Sequence, residues 1–150
     1  MSEQEQNNLS IKELAGKNFK EGYNCSETIV RTFRDFYQLD VSDEALKMAS
    51  GFGGGLGHAG CMCGALSGAT MVLGMFQGRD NKEQSRGPIY SSSHDFHGIF
   101  SEKFGAACCR VLNPHEFGTQ EQRRTCLKIT GNTAELLLKY IQEKELATKG

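Results

Sequence analysis

Six cysteines in a chain of 150 residues put sulfur chemistry first. Cysteine is a good small core residue, but its reactivity usually decides why a chain keeps so many. Four lie in distinctive contexts: Cys25 in Gly22-Tyr23-Asn24-Cys25-Ser26, Cys63 at the head of Cys63-Gly64-Ala65-Leu66-Ser67-Gly68, Cys109 before Arg110-Val111-Leu112, and Cys126 at the start of a long apolar-periodic stretch. Cys61 and Cys108 stand beside two of them. A glycine-rich run, Gly51-Phe52-Gly53-Gly54-Gly55-Leu56-Gly57, comes just before the Cys61–Cys63 pair.

The elements that must position these thiols read as helices. Ser10 followed three residues later by Glu13 has the form of a capping box. A second helix is expected from Cys25 to Tyr37, with Cys25, Thr28, Ile29, Thr32, Phe33 and Phe36 on one face. Ser42 or Asp43 caps a third, which dissolves into the glycine run. A fourth is expected from Gly60 to Phe76. A fifth carries Phe96, Phe100 and Phe104, breaks near Gly105 and stops at Asn113-Pro114. The sixth runs from Thr119 to Leu146, with a kink or break at Gly131. The expectation is an all-α, single-domain bundle over residues 1–150, of about six helices, with a glycine-rich loop before the central one. Residues 1–9 read as a frayed terminus.

At 100° per residue Cys126 shares a stripe with Ile129, Thr133, Leu136, Leu137 and Tyr140. Cys63 shares one with Leu66, Thr70 and Leu73, and Cys25 lies on the apolar face of its own helix. All three sulfurs point inward, either as separate packed cysteines or as one internal site. Gly60, Gly64 and Gly68 recur at four-residue steps, and glycine costs about 1 kcal/mol per interior helix position relative to alanine. Close approach of a neighbouring helix at the level of Cys63 would explain them. A helix N-terminus after the glycine run would favour a thiolate, so a low-pKa thiol is expected at Cys61 or Cys63.

Composition narrows the function classes. The net charge of -1, with basic residues scattered, leaves no electrostatic footprint for nucleic acid. No apolar stretch approaches the roughly 18–20 residues needed to span a bilayer. The polar start Met1-Ser2-Glu3-Gln4-Glu5 has no secretory character, so a cytoplasmic location with reduced thiols is expected. Gly55-Leu56-Gly57-His58-Ala59-Gly60 matches a dinucleotide fingerprint in letters, but the preceding residues read as helix where that fold needs a strand. His94 and His97 have a spacing that can hold a metal, although such histidines at a polar helix start usually face solvent. Ser91-Ser92-Ser93 reads as a cap or loop.

The stretches around Cys25, the glycine run, Cys63-Gly64-Ala65-Leu66-Ser67-Gly68, Cys109-Arg110-Val111-Leu112 and Cys126 resemble the C_GCAxxG_C_C family of redox-active proteins, some of them selenoproteins. The resemblance runs from about residue 10 to 145. It implies a four-cysteine site at Cys25, Cys63, Cys109 and Cys126, with Cys61 and Cys108 as additions of this chain that could substitute. It also implies redox activity; a related domain in a split-Soret type cytochrome carries an iron–sulfur site. Three functions are then open. Four thiolates could hold an iron–sulfur cluster for electron transfer or redox sensing, which is the favoured expectation. Cys63 could be the attacking thiol of a thiol–disulfide oxidoreductase, without a cofactor. The same thiolates could hold a structural metal such as zinc. A redox partner protein is implied, and the glycine groove or the Phe stripe could serve a homodimer.

Overall fold

The computed structural model describes residues 9–149, so eight of the nine residues expected to fray lie outside the described residues. The Ser10 hydroxyl accepts from the Glu13 amide at 3.1 Å and the Glu13 carboxylate accepts from the Ser10 amide at 3.5 Å. This reciprocal cap starts α1 (Ile11–Glu21), which Gly22 ends at φ 120°. A second capping box starts α2 (Cys25–Phe36): the Asn24 carboxamide accepts from the Glu27 amide at 2.8 Å, and Glu27 returns the bond to the Asn24 amide at 3.0 Å. Ser42 caps the single turn α3 (Asp43–Leu46), after which a 3₁₀ helix (Lys47–Phe52) and a further turn, α4 (Gly53–Leu56), carry the chain through the glycine run. The long helices α5 (Gly64–Gln77), α6 (Gly87–Phe104) and α8 (Gln120–Glu143) follow, with the turn α7 (Cys109–Leu112) between the last two. Leu146–Lys149 forms a closing 3₁₀ turn.

The all-α expectation stands, and no strand is found among the described residues beyond one isolated antiparallel bridge, Met62 to Cys108. Helix α2 packs most extensively on α5, and α1 on α8. Between them the fully buried Ile29, Phe33, Leu66, Leu73, Phe100 and Leu137 form one core. Burying side chains of this size is worth about 1.5–3 kcal/mol each, which is why tertiary packing rather than intrinsic propensity holds these helices.

Several boundaries depart from the sequence expectation. The fourth helix begins at Gly64, not Gly60: Gly60 sits in a loop at φ +74°, against the Arg110 Cβ. Only Gly64 and Gly68 serve the close helix contact. A Cβ at Gly68 would lie 2.9 Å from the Ser26 carbonyl oxygen and 3.0 Å from the Ile29 Cβ. Helix α8 runs unbroken through Gly131, whose missing side chain instead lets the Lys12 methylenes approach to 3.1 Å of a Cβ position. Ser91–Ser93 lies inside α6 and is neither cap nor loop; Ser92 is buried and donates to Gln77. No helix among the described residues is long and apolar enough to cross a membrane.

Candidate functional site

Cys25, Cys63, Cys109 and Cys126 line one small cavity of about 30 Å³, together with Gly54, Gly64, Leu112, Asn113, Gln122 and Ile129. Three of the four thiols come from helix starts. Cys25 is the first residue of α2, Cys63 is the N-cap of α5, and Cys109 opens α7. Cys126 reaches in from the body of α8. Helix N-termini carry free amides and a partial positive charge, so α2 and α5 present thiolate-stabilising ends to one point.

Local hydrogen bonds fix the backbone that carries Cys25, Cys63 and Cys109. The Asn24 cap also donates to the Ser50 carbonyl at 3.0 Å, and Glu27 accepts from the Ser50 hydroxyl at 3.1 Å, so the start of α2 is tied to the 3₁₀ segment. The Cys61–Cys63 segment pairs with Ala107–Arg110 by backbone bonds: Cys63 N–H to Ala107 at 2.8 Å, Cys109 N–H to Cys61 at 2.5 Å, Arg110 N–H to Gly60 at 3.1 Å. This pairing holds Cys63 and Cys109 together across 46 positions of sequence. The glycines are the space left for sulfur. A Cβ on Gly64 would overlap the Cys25 sulfur and come within 2.9 Å of the Phe52 carbonyl oxygen. A Cβ on Gly55, held at φ +68°, would meet the Cys109 Cβ at 2.7 Å.

The electrostatics are asymmetric. Cys25 is 4 % exposed, yet its thiol is lowered to about 7. The main cause is the Cys126 S–H, which donates to its sulfur; amides of Gly54, Ser26 and Cys25 itself add to that against the cost of burial. Cys126 is pushed up because it keeps the shared proton, and burial and the Cys25 charge act in the same direction. Burial followed by the charge on Cys25 drives Cys63 up to about 12, although the Ala65 and Leu66 amides oppose this. Cys109 rises for the same two reasons. The depressed thiol is therefore Cys25, and the expectation of a low-pKa thiol at Cys63 is corrected: the helix end is present there, but desolvation and a neighbouring thiolate outweigh it.

Cys61 is exposed and Cys108 partly so; neither lines the cavity. His94 and His97 are exposed on α6. All six thiols are free, and among the described residues no three His, Cys, Asp or Glu side chains stand in a metal-ligating disposition. The donor set at the cavity is nevertheless all sulfur, with no carboxylate or imidazole in its lining, which suits soft metals and iron–sulfur centres. Asn113 was read in the sequence only as a helix stop, not as a site residue. It lines the cavity, donates to the Gln122 carbonyl at 2.9 Å and leaves its buried Oδ1 without a hydrogen-bond partner. The Asn24–Glu27 cap was missed as well, although its Asn-x-x-Glu spacing was readable.

A family model described as "Putative redox-active protein (C_GCAxxG_C_C)" matches residues 23–140. An uncharacterized protein of Archaeoglobus fulgidus is 25% identical over 131 residues, covering 81% of this chain and 87% of its own length. No solved structure matches the chain significantly.

Proposed function

We propose that this chain, which belongs to the C_GCAxxG_C_C family of redox-active proteins, uses Cys25, Cys63, Cys109 and Cys126 as ligands of one iron–sulfur centre. The observation that carries the reading is the cavity itself, lined by four cysteines and by no other ionisable side chain. As thiols they obstruct one another: once Cys25 ionises, its charge raises its three neighbours. A cation among them reverses that repulsion and releases their protons. Bound there, an iron–sulfur centre supplies reversible one-electron transfer.

The chain's own part is to bind and to insulate. The α2 and α5 N-termini offset the negative charge of four thiolates, and Leu112 and Ile129 keep that region apolar. A cavity of about 30 Å³ offers room on the order of one or two water molecules. Replacing Cys63 or Cys126 by serine is expected to abolish the visible absorption of anaerobically purified protein, while Cys61→Ser and Cys108→Ser keep most of it. Equal loss at Cys61 would reassign the ligand set.

A second reading has its own observation. Cys25 and Cys126 share a proton, and Cys25 is lowered to about 7, the condition of an activated dithiol. In that case Cys25 rather than Cys63 would be the attacking sulfur. Burial of Cys25 speaks against direct attack on a protein disulfide. Colourless anaerobic protein that reduces a model disulfide, and loses that activity in Cys25→Ser, would establish the second reading over the first.

A further inference from the structure

A groove with an apolar floor and a cationic rim runs between α1 and α8. Its main part, about 820 Å³, has Gly16, Leu127 and Gly131 along the floor and Lys17, Arg124 and Lys128 on the rim. It continues into a hollow of about 560 Å³ at the α1–α2 turn, where Phe19, Tyr23 and Arg123 join Lys20 and Arg124. Together the two hold six cations against two carboxylates, Glu13 and Glu21. Lys12 is paired with Glu135 and Lys17 with Glu21, each at 3.8 Å. Lys20, Arg123, Arg124 and Lys128 are exposed and make no ion pair among the described residues. In a chain of net charge -1 this is local segregation of charge, and the remaining surface is acidic.

The groove backs onto the cysteine cavity. Gln122, Cys126 and Ile129 line the cavity, while Arg123, Leu127 and Lys128, from the same turns of α8, line the groove. A helix with its side chains is about 10–12 Å across, so α8 alone separates the two. At the far end Tyr23 is two residues from Cys25.

We propose that this groove is the docking surface for an acidic electron-carrier protein that delivers single electrons across α8. The proposal rests on the redox-centre reading above. The reduced carrier would lose one electron and the iron of a centre held by the four thiolates would gain it; no proton, atom or leaving group moves between the proteins. Unpaired cations round a small apolar floor suit such a transient encounter, because charge steers and orients the partner while limited contact lets it leave. A nucleic acid fits less well, since it would leave the apolar floor unmatched and face an acidic remainder.

The test measures binding of a fluorescently labelled, small acidic [2Fe–2S] carrier protein, and separately the rate at which the reduced carrier reduces this protein. The full chain is compared with a groove variant, Lys20→Glu/Arg124→Glu/Lys128→Glu, and with a control reversal of three exposed lysines elsewhere, Lys47→Glu/Lys82→Glu/Lys103→Glu. Circular dichroism of each variant establishes that it is folded. Binding to the wild type is expected to weaken about tenfold between roughly 20 and 200 mM salt. The groove variant should lose about tenfold in affinity and rate at low salt, and the control about twofold, as surface steering predicts. Reduction by a small uncharged reductant should be the same in all three. Equal effects of the two reversals would overturn the proposal, as would an RNA oligonucleotide or anionic vesicles binding the groove more tightly than the carrier does. Binding does not require a working centre, so the two failures are separable. A coloured protein whose carrier binding ignores the groove sinks the surface alone. A colourless protein whose binding follows the groove charges sinks the redox centre and leaves a docking surface without electron transfer.

Discussion

The Cys25–Cys126 hydrogen bond sets the charge of the site, because it is the largest influence lowering one thiol and raising the other. In reduced, metal-free protein the first thiolate should appear with a midpoint near 7, read as ultraviolet thiolate absorbance. Cys25→Ser should remove that step, and Cys126→Ala should move it towards the ordinary value by deleting the donor. An unchanged midpoint in Cys126→Ala would mean that helix amides alone hold Cys25 down. The sign of the stability change follows from linkage. Cys25, lowered on folding, contributes stability that is complete above its unfolded value of 9.0 and is lost as pH falls through about 7. Cys63, raised on folding, costs stability as pH climbs from 9.0 towards about 12. The melting temperature of metal-free protein should therefore fall above pH 9, and less so in Cys63→Ser. At this scale the sequence was only partly legible. Helix phase placed Cys25 and Cys126 on inward faces, but it had Cys63 on a helix stripe when it is the cap before the helix. Nor could it show which thiol would ionise, because that depends on a contact between residues 101 positions apart.

Among the elements, the glycines of α5 separate packing from propensity. Gly64 and Gly74 belong to the same helix, yet a Cβ at Gly64 would overlap the Cys25 sulfur whereas one at Gly74 meets nothing within 4 Å. Gly74→Ala should therefore stabilise the protein by about 0.5–1 kcal/mol, the helix-propensity gain. Gly64→Ala should cost about 1–3 kcal/mol, as overpacking does, and lose the visible centre while far-ultraviolet circular dichroism stays helical. Chemical denaturation of both variants checks this; a coloured Gly64→Ala protein of wild-type stability would show that the α2–α5 contact yields more easily than its distances imply. The four-residue spacing from Gly60 to Gly68 pointed correctly to a close helix contact but included one glycine too many. Gly60 adopts positive φ in a loop, and side-chain periodicity carries no signal for that backbone state. The helices themselves were legible because their apolar spacing is strong. Of the short turns, α3 was legible through its Ser42 cap, and α7 was expected only as the end of the helix that carries Phe96 and Phe104. The turn α4 was not legible, since a four-residue helix has no full period to read.

Over the whole molecule, α1, α2, α5 and α8 pack round a common core and bring to one point cysteines that are dispersed along the chain. Such dispersal lets metal binding act on the whole fold. The proposed centre on Cys25, Cys63, Cys109 and Cys126 would tie α2, α5, α7 and α8 together, so that its binding free energy would become folding free energy. Chelation or oxidative loss of the centre should then lower the melting temperature. Metal uptake near pH 7 should release between about three and four protons, since Cys25 is already partly ionised there and its three partners are not. Calorimetry in two buffers of different ionisation enthalpy counts those protons; release of about one would mean that fewer thiols bind. The most direct measurement is iron K-edge X-ray absorption on protein purified without oxygen. An iron–sulfur centre at Cys25, Cys63, Cys109 and Cys126 predicts an all-sulfur first shell with an iron–iron scattering path, both lost in Cys126→Ser. Protein free of iron, or iron in a nitrogen and oxygen shell, would contradict it.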